Sequence, residues 1–218
     1  MAFPQGINLR RTEAYRSGED AASSGGNGWC YPEPSGGNNN YPQTTAQGNS
    51  VGWETTASGY EGRNRSGTND VRLAGMGFDG GGTNVVRDFR VDLSGTGDWS
   101  IRIAMGDGSY ARDVDCEILD TSSSLGVVIS GATSAGNNFK DATDTNYTAA
   151  NWPGSNSAIT KTFSTTICRF RVGAADAQST CLAHVYLASA GGAAGQPTMR
   201  RFGGVPGMGR GQSFGRSW

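Results

Sequence analysis

Two runs of strict alternation around a short Gly-rich turn constrain this chain more than any other feature. Phe89, Val91 and Leu93 alternate with Asp88, Arg90 and Asp92, and Trp99, Ile101, Ile103 and Met105 alternate with Ser100, Arg102 and Ala104. Between the runs lies Ser94-Gly95-Thr96-Gly97-Asp98. A period of two puts one set of side chains on one face of an extended backbone and the other set on the opposite face. The pattern predicts a β-hairpin over residues 87–105 whose apolar face needs a second sheet to cover it. A β-sandwich is therefore expected at the centre of the fold.

Further alternation follows the same rule. Val114, Cys116 and Ile118 alternate with Asp113, Asp115 and Glu117, and Leu125, Val127 and Ile129 read as another strand after a polar turn. Ile159, Lys161 and Phe163 begin a further one. A second hairpin is predicted from Cys168, Phe170 and Val172, alternating with Arg169 and Arg171, and from Cys181, Ala183, Val185 and Leu187, alternating with Leu182, His184 and Tyr186. Ile7-Asn8-Leu9 and Val51-Gly52-Trp53-Glu54 are shorter apolar stops. No 3.6-residue stripe extends over a useful length, so roughly eight or nine short strands and no helix are expected. The fold class is all-β: a jelly-roll or galactose-binding-like antiparallel β-sandwich over residues 1–190, with long polar loops.

Glycine supplies 35 of 218 residues without the three-residue period of collagen, which points to many tight turns. Residues 17–50 have almost no periodicity. Gly25-Gly26-Asn27-Gly28, Pro32, Pro34 and Gly36-Gly37-Asn38-Asn39-Asn40 predict a long loop there. Trp29, Tyr31 and Tyr41 lie within it. Either they pin the loop onto the sandwich, which is the simpler account, or they form a platform for a sugar or partner. With Trp53 and Trp152 they make up the candidate carbohydrate-binding set. The arginines of Arg63-Asn64-Arg65 and Asp70-Val71-Arg72 are expected to bond carboxylates or carbonyls of the protein itself.

Eighteen basic residues stand against 19 acidic ones, a formal net charge of -1, so no general nucleic-acid-binding surface is expected. Residues 1–6 are too short and polar for a signal segment, and no 18-residue apolar run is present, so neither an export signal nor a membrane span is expected. Cys30, Cys116, Cys168 and Cys181 lack the close spacing of a zinc or thioredoxin site, and their disulfide state is open. Folding 168–172 against 181–187 puts Cys181 nearer Val172 than Cys168, which disfavours that bridge. Cys116, Cys168 and Cys181 fit better as buried thiols, leaving Cys30 in the loop as the odd one.

Signals for chemistry are few. The single histidine, His184, sits in a strand pattern without a nucleophile elbow and reads as a packed or surface residue. Asp107, Asp113 and Asp115 could surround a calcium ion, but their spacing is not that of an EF-hand loop. Glu54 and Asp79 fall in predicted loops, and Gly80-Gly81-Gly82 lacks the following lysine and the strand-to-helix setting of a phosphate cradle. No catalytic residue, metal or cofactor is expected.

From residue 191 the texture changes to a Gly-rich run without acidic residues or alternation. Arg200, Arg201, Arg210 and Arg216 interleave with Met199, Phe202, Met208, Phe214 and Trp218. These types carry much of the energy of protein interfaces, so residues 191–218 read as an extended C-terminal arm that makes assembly contacts. An inert solubilising tail and a short nucleic-acid tail rank below it.

The stretch from Phe89 to Asp107, with its Val91-Asp92-Leu93 and Gly106-Asp107 phrases, resembles the central hairpin of malectin-like and related galactose-binding-like β-sandwiches. Gly52-Trp53, Arg63-Asn64-Arg65 and the strand from Cys181 to Leu187 fall in matching places, so the resemblance covers roughly residues 5–190. It implies carbohydrate binding or an accessory role beside a sugar-active enzyme. A β-sandwich followed by a Gly/Arg-rich end is also similar to small structural proteins of tailed bacteriophages, which decorate capsids or build tails and fibres. That resemblance implies a non-enzymatic virion protein whose partners are copies of itself and other virion proteins. Carbohydrate binding through the loop aromatics, with host-surface polysaccharide as ligand, is the alternative.

Overall fold

The structure, a computed structural model, describes residues 5–9, 27–31, 41–44, 48–54, 60–64, 73, 75–79, 86–133, 138–152, 156–173 and 181–190. The arm residues Met199, Arg200, Arg201, Phe202, Met208, Arg210, Phe214, Arg216 and Trp218 lie outside this set. The first strands in chain order are β1 Gln5–Leu9, β2 Asn27–Tyr31, β3 Gln43–Thr44, β4 Ser50–Trp53, β5 Tyr60–Asn64 and β6 Gly75–Asp79. Then come β7 Arg87–Asp92, β8 Gly97–Asp107, β9 Cys116–Asp120, β10 Ser123–Ile129 and β11 Asn138–Lys140. The last are β12 Asn146–Thr148, β13 Ile159–Phe163, β14 Ile167–Val172 and β15 Leu182–Ser189, with a single 3-10 turn at Ala149–Asn151.

They form two sheets around one buried cluster. The first sheet runs β12-β11-β8-β15-β1-β2, with β13 also on β8 and the β5–β6 pair joined to β15. The second runs β10-β9-β14-β7-β4-β3. Pairing is antiparallel throughout except between β1 and β2, which are parallel. The all-β expectation therefore holds as two sheets packed on a common core.

The alternation predicted over 87–105 is present, but the hairpin is not. β7 belongs to the second sheet and β8 to the first, so the turn between them crosses the core. Both edges of β7 are occupied: Phe89 stands opposite Phe170 on β14 and Trp53 on β4, and Val91 opposite Cys168 and Val51. β8 pairs with β15 along one edge and with β13 and then β11 along the other. A hairpin would place both apolar faces on one side of one sheet, and a crossing makes them face each other. Both bury the same residues, so alternation alone does not separate them. The predicted hairpin of 168–187 is corrected in the same way, since β14 and β15 also lie in different sheets.

The core follows the pattern read from the sequence. Phe89, Val91, Cys116, Ile118, Cys168, Phe170 and Val172 of the second sheet are buried, as are Ile7, Leu9, Trp99, Ile101, Ile103, Met105, Val185 and Leu187 of the first. Each large side chain removed from water contributes about 1.5–3 kcal/mol. Cys116, Cys168 and Cys181 are buried thiols outside any disulfide, and the side chain of Cys30 lies outside the described set. Burial pushes the Cys116 and Cys168 thiols well above their ordinary range, so both are neutral.

Three expectations are corrected by local geometry. In β10, register shifts around Gly126 turn Val127 out to 65% exposure, while Leu125 and Val128 pack against the core. A β-bulge reverses the face order downstream of it, and Gly126 supplies a backbone φ of +106°. In β15 every residue from Leu182 to Leu187 is buried, because a bulge between Leu182 and His184 and a covered outer face replace simple alternation. Finally, β2 and β3 lie inside the stretch 17–50 that was expected to be loop, and β2 is held by pairing with β1 rather than by a pattern of its own.

Gly106 shows how closely the strands of the first sheet approach. At φ +155°, a Cβ there would meet Asn138 O at 2.4 Å and Phe139 Cα at 3.0 Å. Gly95, in the crossing between β7 and β8, has open space around it. Gly106→Ala should destabilise the protein by about 1–3 kcal/mol through overpacking, whereas Gly95→Ala should change stability by less than about 0.5 kcal/mol. Urea unfolding of the two variants beside the wild type measures the contrast.

Candidate functional site

Polar chemistry concentrates in two connected places: the outer face of the second sheet, and the end of the sandwich where the chain crosses between sheets. On β7 and β14 the residues out of phase with the core are Asp88, Arg90 and Asp92, and Arg169 and Arg171. Pairing sets Arg169 beside Arg90 and Arg171 beside Asp88. Two arginines side by side repel, and Glu54, just past β4, resolves this by taking both. Arg169 engages Glu54 through Nε and through Nη2 at 2.8 Å, and Arg90 Nη1 donates to the same carboxylate at 3.3 Å.

The ladder continues in both directions. Arg90 Nε donates to Asp92 at 2.7 Å, and the Tyr41 hydroxyl donates to the other Asp92 oxygen at 2.6 Å. The Arg90 guanidinium also lies 4.0 Å from the centre of the Tyr41 ring. Arg171 grips Asp88 with two parallel bonds of 2.8 and 2.9 Å. Partial burial opposes the charge on Glu54, but the two arginines outweigh it and hold its carboxyl below the usual range. Tyr41 moves the other way: burial, and then its bond to Asp92, raise its hydroxyl.

The crossing end is bound together by Asp120, the last residue of β9. Ser164 donates to Oδ2 through its N–H at 2.7 Å and through its hydroxyl, and Thr165 donates to Oδ1 by the same two groups. These residues form the crossing from β13 in the first sheet to β14 in the second. Leu93 N–H donates to Thr166 O at 2.8 Å, which joins this crossing to the one between β7 and β8. Thr121 sits at φ 58°, where a β-branched residue is rarely found. Its surroundings fix it there. Its N–H reaches Ile167 O at 3.1 Å, its hydroxyl shares a 2.9 Å bond with Thr165, and its carbonyl accepts from Arg169.

Another carboxylate, fully buried Asp141, gathers the 141–157 segment by accepting from Thr143 N–H and hydroxyl, Thr145 N–H and Ser157 N–H. Burial raises the carboxyl pKa of both Asp120 and Asp141, and these bonds more than reverse it, leaving both lowered. A general acid working near neutrality needs a raised carboxyl. Glu54, Asp120 and Asp141 are the opposite: ionised acceptors that join segments of chain.

The five candidate aromatic residues do not come together as one surface. Trp53 is 2% exposed and packs edge-on against Phe89 at 5.1 Å. Trp152 is 8% exposed, stacked on Tyr147 at 6.0 Å and edge-on to His184 at 5.2 Å. Both are therefore core residues, with no open ring face to offer a sugar. Tyr41 is half-buried with Arg90 over its ring. Trp29 and Tyr31 stand opposite Ile7 and Leu9 in the β1–β2 register, and their side chains lie outside the described set. His184 is packed, as one of the two expected readings had it.

The possible calcium cluster is not assembled either. Asp107 accepts from Ser109 N–H at 2.8 Å and from Arg112 at 3.2 Å, whereas Asp115 accepts from Gly173 N–H at 2.8 Å. No group of three or more metal-ligating side chains occurs among the described residues. Glu54 follows a strand and is fully engaged, and the side chains of Asp79 and of Arg63 and Asn64 lie outside the described set. Comparison with family models, with curated proteins and with solved structures found no match to this chain.

Because the Asp120, Glu54 and Asp141 carboxyls are lowered on folding, their contribution is present above their unfolded pKa and is lost as pH falls through the folded value. The contribution of these three carboxylates should be level from pH 7 to about 5 and should fall below about pH 4, where unfolded Asp and Glu bind protons. Asp120→Asn should cost about 1–3 kcal/mol at pH 7. The gap between variant and wild type should close as the wild-type carboxylate protonates, which denaturant midpoints at pH 3, 5 and 7 would follow.

Proposed function

We propose that this chain is a non-enzymatic structural protein of a tailed-bacteriophage virion, a galactose-binding-like or jelly-roll sandwich whose surface is displayed and whose termini make assembly contacts. The observation that carries this reading is where the first strand begins and the last one ends. β1 begins with Gln5 opposite Leu187, and β15 ends at Ser189, so both ends of the sandwich leave from the same side. Ala190 N–H donates to Asp98 O at 2.7 Å, which puts that exit beside the crossing end held by Asp120. Residues 191–218, with Arg200, Arg201, Arg210, Arg216 and their interleaved Met, Phe and Trp, start from this braced pole. A body whose first strand begins and last strand ends at one braced pole suits repeated assembly, where each copy anchors its neighbour.

The polar chemistry holds that body together. Glu54, Asp120 and Asp141 are occupied in joining strands and loops, and Trp53 and Trp152 belong to the core. Other copies of the chain and other virion proteins are the partners this reading implies. The molar mass of the full chain in solution, beside that of a 192–218 deletion, tests it. A discrete oligomer should become a monomer on deletion while keeping its thermal transition. Equal masses for the two proteins would remove the arm as an assembly element.

A further inference from the structure

Among the described residues, strand β10 ends the second sheet, bonded to β9 on one side. The sequence from Thr121 to Phe139 carries no charged residue, and β10 exposes Val127, one of three large apolar side chains exposed among the described residues. An end strand of this kind is a template for a further strand, and charges, bulges or coverings are what prevent pairing. Here the charges are absent from the strand itself and are supplied by the other sheet. Lys161, in the middle of β13, donates its Nζ to Leu125 O at 2.6 Å. Just past β10, Lys140 Nζ donates to Ser130 O at 2.7 Å, and Ser130 N–H donates to Asp144 at 3.0 Å. Lys140 and Asp144 are themselves paired at 2.7 Å, which fixes that end of the cover. The bulge at Gly126 sits beside the Lys161 contact, 3.7 Å from Nζ to a Cβ built there.

We propose that β10 is a guarded strand-pairing edge, with Lys161 as its principal guard and the Lys140–Asp144 pair closing its end, and that its occupant once unguarded is β10 of a second copy. Self-pairing fits because an uncharged strand laid antiparallel on itself meets no like charge, and Val127 of each copy gains an apolar neighbour. A lysine is suited to the guarding role. It occupies a backbone carbonyl that an incoming N–H would need, and it places a charge in the path of a second chain. The inference is independent of the arm, because it concerns a different surface.

The test uses the full-length chain. Lys161→Thr keeps a good strand former in β13 and removes the reach to Leu125, and Lys161→Met is a second version should the first fail to fold. Either variant should show a concentration-dependent mass above that of the wild type by light scattering, with far-ultraviolet circular dichroism unchanged. Adding Val127→Lys to the same variant should return the mass to the wild-type value, since a charge is then back on the edge. A folded Lys161 variant with wild-type mass across the concentration range would overturn the proposal. So would association that survives Val127→Lys, because its contact would lie elsewhere.

Discussion

Phe89 and Val91 on β7 and Ile101 and Ile103 on β8 belong to one buried cluster, reached from two different sheets. The remainder of the structure depends on that crossing. Once β7 passes to the second sheet, its edges are filled by β14 and β4, and β8 is left to organise the first sheet with β15. The same device recurs between β13 and β14 and between β14 and β15, so the two layers are linked by short stretches of covalent chain as well as by apolar burial.

Crossings of this kind leave backbone groups without sheet partners, and the side chains supply them. Asp120 takes four donors from Ser164 and Thr165, Asp115 takes the N–H of Gly173 where the chain leaves β14, and the Trp99 indole donates to Gly95 O in the first crossing. A buried amide left unpaired costs about 1–3 kcal/mol, so these contacts decide whether the crossings are tolerated at all. On the outer face, the Glu54–Arg169–Arg90–Asp92 ladder keeps adjacent arginines from repelling and spans β4, β7 and β14. The partly buried pairs within it contribute modestly one by one, and as a connected set they fix register.

Alternation makes the core legible in the sequence. Phe89, Ile101, Ile103, Phe170 and Val185 are buried where the period of two puts them. Partner choice was not legible, because facing and adjacent strands bury the same positions. Short strands such as β3 and β11 have no pattern of their own and exist because a longer neighbour offers an edge, and β12 pairs in turn with β11. The polar site was missed for a related reason. Asp120 and Ser164-Thr165 are 44 and 45 residues apart, each unremarkable alone, although both are turn-forming clusters that mark a chain reversal. Trp53 lies in a short apolar stop and Trp152 in polar sequence, yet both large rings are drawn into the core.

The crossing of β7 and β8 is open to direct measurement by nuclear Overhauser contacts between backbone protons. Backbone contacts between Val91 and Cys168 and between Ile103 and Val185, with none between Val91 and Ile101, are the pattern this architecture predicts. Backbone contacts between Val91 and Ile101, the partners of a simple hairpin closed at residues 94–98, would contradict it and return both strands to one sheet.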